Sequence, residues 1–228
     1  MRSLYLAGLL LWLSACNDPQ VDFVQPFPSI GASLTAFAAQ HQGVYEPAGD
    51  TMYRLAISAH AACREVFQRH QITVGQLDSL KIPAGGRSRG RWYADLRGRY
   101  RLRPVRAGRP DSVWLERWLT DTICDLRPGS RQVVRWFKGA YYLNEPLNFF
   151  SSPDRWRVQR LLLSGRRLRL QQLGNDTARL VALPPGVVVR TTQTGQTYWL
   201  LNPSTPRQER QIARRDDLWE TMRELERR

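Results

Sequence analysis

Apolar residues recur along this chain in short runs at a period near two, broken by Gly, Pro, Ser, Asn and Asp. Runs rich in Val, Ile, Leu, Tyr, Trp and Thr predict strands over 52–57, 91–103, 112–119, 132–143, 155–163, 166–173, 177–183 and 196–201. The sharpest hairpin runs from Trp156 to Leu163, turns at Ser164-Gly165 and returns through Gln171. In its second arm Leu168 and Leu170 face one way and Arg167, Arg169 and Gln171 the other. Two stretches read as helices instead. Residues 32–39 place Leu34, Phe37 and Ala38 on one short helical face. Near the end, Thr205, Pro206 and Gln208 form a capping signature. Leu218, Met222 and Leu225 then follow at i, i+4 and i+7, with Ile212 and Trp219 beside them, predicting a helix at about 205–227. Its other face, with Arg207, Glu209, Arg210, Arg214, Asp217, Glu220 and Arg223, is left to solvent.

The pattern predicts a mainly β fold: an antiparallel meander forming a curved sheet, sandwich or barrel-like structure, with a short N-terminal helix and a C-terminal helix. Gly43-Val44-Tyr45, Gly98-Arg99-Tyr100 and Gly139-Ala140-Tyr141 read as three similar strand starts; their unequal spacing excludes a regular repeat. Calycin-like barrels also carry Gly-x-aromatic at a strand start, so a ligand-holding barrel stays open as an alternative.

The first residues do not fit this scheme. Arg2 precedes an apolar run from Leu4 to Leu13, followed by Ser14-Ala15-Cys16. A basic start, a short apolar stretch and small residues at the cut describe a secretory signal peptide, and the run is too short to cross a bilayer. Leu13-Ser14-Ala15-Cys16 resembles the lipobox of bacterial lipoproteins, which implies that Cys16 is lipidated and becomes the first mature residue. The implied organisation is a signal peptide at 1–15, a lipidated N-terminus with an extended, proline-bearing tether at 16–30, and a single β-rich domain at 31–228. A second resemblance rests on Asp111-Ser112-Val113-Trp114, Asp121-Thr122-Ile123-Cys124, Val133 to Asn144, Trp156 to Leu161, and the Pro203-Ser204-Thr205-Pro206 helix start. This layout is similar to envelope lipoproteins of Bacteroidetes-type bacteria. It implies no catalytic residue.

Composition changes the picture of the partners. Thirty-four Lys+Arg against 20 Asp+Glu give a formal charge of +14 and an isoelectric point near 10.7, and all but Lys81 and Lys138 are arginine. A 42% hydrophobic fraction with eight Trp is too apolar for a disordered basic tail. Charge alone would suggest nucleic acid, but export removes that partner. What remains is a membrane reached through the lipid on Cys16, and anionic lipid or polysaccharide in the envelope, with the outer membrane as the expected site and either the periplasm or the exterior as the facing side.

The densest charge runs from Arg87 to Arg109. Within it Arg97, Arg99, Arg101 and Arg103 alternate with Leu96, Gly98, Tyr100 and Leu102, so a strand would present four guanidinium groups in a row. Such a row suits bidentate binding of phosphate or carboxylate; the plain alternative is a solvated outer face. Cys63 and Cys124 could form a disulfide in the envelope or remain separate buried thiols. His60, Cys63 and His70 match no standard zinc spacing, and His41 stands apart from them. Gly86-Arg87-Ser88-Arg89-Gly90 matches the G-x-S-x-G nucleophile elbow, but no histidine follows His70 to serve as base. No cofactor motif or metal box appears. These features point to a non-enzymatic binding or structural protein; the alternatives are an envelope hydrolase with an unrecognised site or a barrel-type small-ligand binder.

Overall fold

The computed structural model describes residues 20–82, 90–95, 98–105, 111–147, 155–193 and 196–228. The signal segment with Cys16, Arg97, and positions 86–89 of the G-x-S-x-G motif lie outside them. In chain order the described strands are β1 (Gln20–Phe23), β2 (Ala32–Leu34), β3 (Gly43–Glu46), β4 (Tyr53–Ile57), β5 (Ala61–Thr73), β6 (Tyr93–Asp95), β7 (Gly98–Pro104), β8 (Ser112–Asp125), β9 (Val133–Phe137), β10 (Ala140–Leu147), β11 (Arg155–Ser164), β12 (Arg167–Leu173), β13 (Val188–Gln193), β14 (Gln196–Leu201) and β15 (Trp219–Arg227). They form one mainly antiparallel sheet that does not close, so the fold is mainly β, as the alternation predicts, and open rather than a closed barrel. The chain divides into two compact units. One is drawn from residues up to Thr35, Pro128–Ser164 and Arg169–Glu224, the other from Ala36–Arg127, Gly165–Leu168 and Leu225–Arg228.

In the first unit the strand order is β13-β14-β1-β11-β12, with β10, β9 and β2 continuing from β11. Strand β1 lies parallel to β14, pairing Gln20 with Tyr198 and Phe23 with Leu201. The stretch expected to be a tether is therefore folded from Gln20 onward. Phe23 and Phe27 are fully buried and stacked at 4.4 Å between ring centroids; each contributes about 1.5–3 kcal/mol by burial. Asn144 Oδ1 accepts the Phe27 amide at 2.6 Å, and the buried Glu209 carboxylate accepts the amides of Ser29 and Ile30 at 2.9 and 3.0 Å. Residues 32–39 do not make a helix either. Ala32–Leu34 is strand β2 on the edge of β9, and the only helical turn nearby is a 3-10 turn at Ala39–His41. Eight residues are too few to hold an isolated helix, and an open strand edge offers the backbone better partners.

Two further predicted elements change type. The 177–183 run is a helix over Thr177–Val181, because the Asp176 carboxylate accepts the Ala178 and Arg179 amides and caps it. The C-terminal helix begins as read, with a complete capping box between Thr205 and Gln208, but covers only Pro206–Arg214. A 3-10 turn at Asp216–Leu218 follows, then β15, which pairs Glu226 with Glu46 and Arg227 with Tyr45. The stop has a visible cause. Arg160 NH1 donates to the Ala213 carbonyl at 3.0 Å, taking an acceptor that a longer helix would use for its next turn. The expected stripe splits accordingly: Ile212, Leu218, Trp219 and Leu225 are buried, but Met222 is exposed.

The core of this unit gathers Phe23, Phe27, Tyr142, Val158, Leu180, Leu201, Ile212, Leu218 and Trp219. In the β11–β12 hairpin Leu168 and Leu170 are buried and Arg167 and Arg169 exposed, as read; Gln171 turns inward instead to meet Arg160. The predicted 132–143 strand is two strands, reversed at Lys138 and Gly139, whose φ values of 53° and 79° suit a two-residue hairpin turn.

The second unit runs β3-β4-β5-β8-β7-β6, all antiparallel. Its spine is the long β5–β8 pair. Strand β5 escapes the pattern because only Ala62 of its thirteen residues is buried. The three Gly-x-Tyr segments do mark strand starts, at β3, β7 and β10, and Tyr45, Tyr100 and Tyr141 are each buried. Gly98 has the strictest reason: at φ +136° a Cβ would stand 2.0 Å from the Trp118 carbonyl oxygen. Gly98→Ala is expected to cost about 2 kcal/mol or more in denaturant unfolding, whereas Gly165→Ala, with φ +59° and open space around it, costs about 1 kcal/mol.

Candidate anion-binding face

Register places the outward residues of β4, β5, β8 and β7 side by side in the second unit. Phe67, Trp118 and Arg99 form one cross-strand row; Arg69, Glu116 and Arg101 form the next; Gln71, Trp114 and Arg103 the third. The opposite side of the same strands carries Tyr100, Leu102, Val113 and Leu115, packed with Leu77 and Ile82. Strand alternation alone thus sorts the arginines outward and the apolar residues into this small core.

Glu116 organises the middle row. It is 3% exposed although it sits on the outward side, because arginines cover it. Arg101 Nε donates to it at 2.6 Å, with Arg69 at 3.6 Å and Arg103 at 3.7 Å. One carboxylate therefore holds three guanidinium groups, which repel one another without it. Indole rings hold the rest. Arg69 lies 4.3 Å from the Trp114 centroid, Arg54 4.1 Å from Trp118, Arg101 4.6 Å from Trp92, and Arg99 contacts both Trp92 and Trp118 at 5.4 and 5.9 Å. Arg54 is also paired with Glu65. Stacking immobilises a guanidinium plane while leaving its N–H edges available, so less entropy is lost when an anion docks. Five arginines face two carboxylates here, and among the described residues Arg99 has no acidic partner.

Of the predicted row, Arg99, Arg101 and Arg103 fall on this one face as the alternation requires, with Tyr100 and Leu102 buried behind them; Arg97 lies outside the described residues. The row is not four equivalent cations, since Arg101 is committed to Glu116 and Arg99 to the indoles. Sequence reasoning passed over Arg54, Arg69, Trp92, Trp114, Trp118 and Glu116. The signal available was parity: Trp114, Glu116 and Trp118 share one side of any strand through 112–119, an aromatic-acid-aromatic stripe across from the arginines.

The remaining candidates lie elsewhere. Cys63 and Cys124 are free thiols on the adjacent strands β5 and β8. Their strands shift register at Ala62/Cys63, so that Cys124 stands opposite Ala62 and Cys63 opposite Thr122, whose Oγ1 is 3.9 Å from the Cys63 sulfur. Burial, with Asp125 and Cys63 nearby, pushes the Cys124 thiol up to about 12. His60 lies just before β5, and within β5 seven strand steps put His70 ~23 Å from Cys63. Among the described residues no three His, Cys, Asp or Glu are grouped to hold a metal, and no helix is long and apolar enough to cross a membrane. Comparison of the chain with family models, with curated proteins and with solved structures finds no match.

Two outcomes test this geometry. Glu116→Gln should lower stability by about 1–3 kcal/mol in urea unfolding, because the guanidinium groups over it lose their shared counter-charge. With iodoacetamide at pH 8, mass mapping should find Cys63 alkylated first and Cys124 protected until the protein unfolds, since about one in ten thousand Cys124 thiols is ionised at that pH.

Proposed function

We propose that this chain is a lipid-anchored cell-envelope protein, acylated at Cys16, that works by binding rather than catalysis, and that the Arg99–Arg101–Arg103 face engages phosphate groups of anionic envelope lipids. The observation that carries the reading is the face itself: arginines pre-stacked on tryptophan around one buried carboxylate, with positive charge in excess. Tethering supports it. Between Cys16 and the start of β1 at Gln20, four residues span at most ~14 Å, so an acylated Cys16 would keep the protein at the lipid surface. A face of modest intrinsic affinity is enough at that effective concentration.

Each part has its own measurement. For the anchor, Cys16→Ser expressed in the native bacterium should move the protein from the membrane to the soluble envelope fraction; quantitative retention in membranes would remove the lipidation reading. For the face, the chain lacking its lipid should co-sediment with phosphatidylglycerol vesicles and not with neutral ones. At about 1 kcal/mol per arginine near an anionic surface, replacing Arg99, Arg101 and Arg103 with Gln should weaken that binding roughly 100-fold. Equal binding by the triple variant would sink the proposal. Glu116→Gln should bind the same vesicles more tightly than the unaltered chain.

A further inference from the structure

The helix Pro206–Arg214 carries a second concentration of arginine in the first unit, separate from the sheet face and made by different physics. Arg207, Arg210, Gln211 and Arg214 lie at i, i+3, i+4 and i+7, a single stripe about 10 Å long. With Arg215 they line a surface cavity of about 330 Å³. That volume sits at the small end of the range for ligand sites. Its described lining is the side chains of four arginines and one glutamine, aliphatic stems included.

Nearby carboxylates do not neutralise it, because each already serves another group. Glu209 points to the buried side of the helix and accepts the Ser29 and Ile30 amides. Asp216 accepts from Arg160 at 2.7 Å, and Asp217 Oδ1 accepts from Arg215 Nε at 3.1 Å. Among the described residues Arg207, Arg210 and Arg214 have no acidic partner. Their placement is also locally unfavourable. Arg207 sits in the first turn, against the positive end of the helix, and like charges at i+3 and i+4 repel. Arg214, in the last turn, is where the helix dipole favours a cation, but Arg207 is not, and all three unpaired cations share one side of the cavity.

We infer that this stripe is a binding site for a small ligand bearing two or more phosphate groups. Three free guanidinium forks can each meet a phosphate edge bidentately. Each phosphate brings −1.5 to −2 charge in a compact volume, which a single carboxylate does not.

The test is calorimetric titration of the full chain in detergent with sodium tripolyphosphate and, separately, orthophosphate. The expected result is saturable one-site binding of tripolyphosphate, at least tenfold tighter than orthophosphate. Arg210→Gln combined with Arg214→Gln should weaken it at least tenfold, with an unchanged far-ultraviolet dichroism spectrum; the exposed stripe makes no contact the fold requires. Arg99→Gln combined with Arg103→Gln should leave it unchanged, which separates this site from the sheet face. No saturable binding, equal affinity for the two phosphates, or the same affinity in the helix variant would each overturn the inference.

Discussion

The first unit depends on a single buried guanidinium. Arg160, only 3% exposed, donates from Nε to Gln171 on β12, from NH1 to the Ala213 carbonyl at the end of the C-terminal helix, and from NH2 to Asp216 in the turn beyond it, while its plane lies 4.8 Å from the Trp219 ring on β15. A charge removed from water is tolerated only when its donors are matched, and here three structural elements and a ring supply the match. The consequences run outward from that point. The helix ends where its carbonyl is taken, Gln171 is drawn to the inside of its strand, and the Tyr142 hydroxyl, raised above the usual range chiefly by burial against Trp219, is pulled partly back by Arg160.

Asp22 and Arg155 show the limit of the same rule. Both are buried, yet their closest approach is 3.6 Å, too long for a hydrogen bond. Burial raises the Asp22 carboxyl, with Arg155 and then Arg157 pulling it partly back. Arg155 also rests 4.1 Å over Tyr198. The pair therefore sits in a dry environment with less complete compensation than Arg160 receives, and it contributes position more than stability. Glu116 in the second unit inverts the arrangement: the buried member is the acid, and the arginines over it keep their outer edges in water.

What was legible in the sequence was whatever depended on local alternation. The β class, the outward arginine row at 99, 101 and 103, the Gly-x-Tyr strand starts and the Thr205 capping box all follow from neighbours within a few residues. What was not legible depended on partners far along the chain. Residues 20–30 look like a tether because their binding partners, Asn144 and Glu209, lie more than a hundred residues away. The 218–225 stripe has helical spacing, yet the Ala213 carbonyl is claimed from β11 and the segment pairs with β3 instead. Strand β5 has no apolar rhythm of its own; β8 provides its register. The indoles of the candidate face were readable only by carrying parity from one strand to its neighbour.

A formal charge of +14 does not by itself say what arginine is for, and the environments in this fold divide it. Arg155 and Arg160 are interior and serve packing. Arg54, Arg69 and Arg101 are held between carboxylate and indole, where lysine could neither stack its plane nor fork its donors. Among the described residues Arg91, Arg99 and Arg190 are ring-held but without an acid, and Arg131, Arg169 and the Arg207–Arg210–Arg214 stripe have neither. Single unpaired arginines elsewhere on the surface are what a preference for arginine would leave; Arg99 and the stripe differ in being grouped with other cations, on a pre-ordered sheet face and along a helix that lines a cavity, where an external anion meets several guanidinium groups for little loss of side-chain freedom.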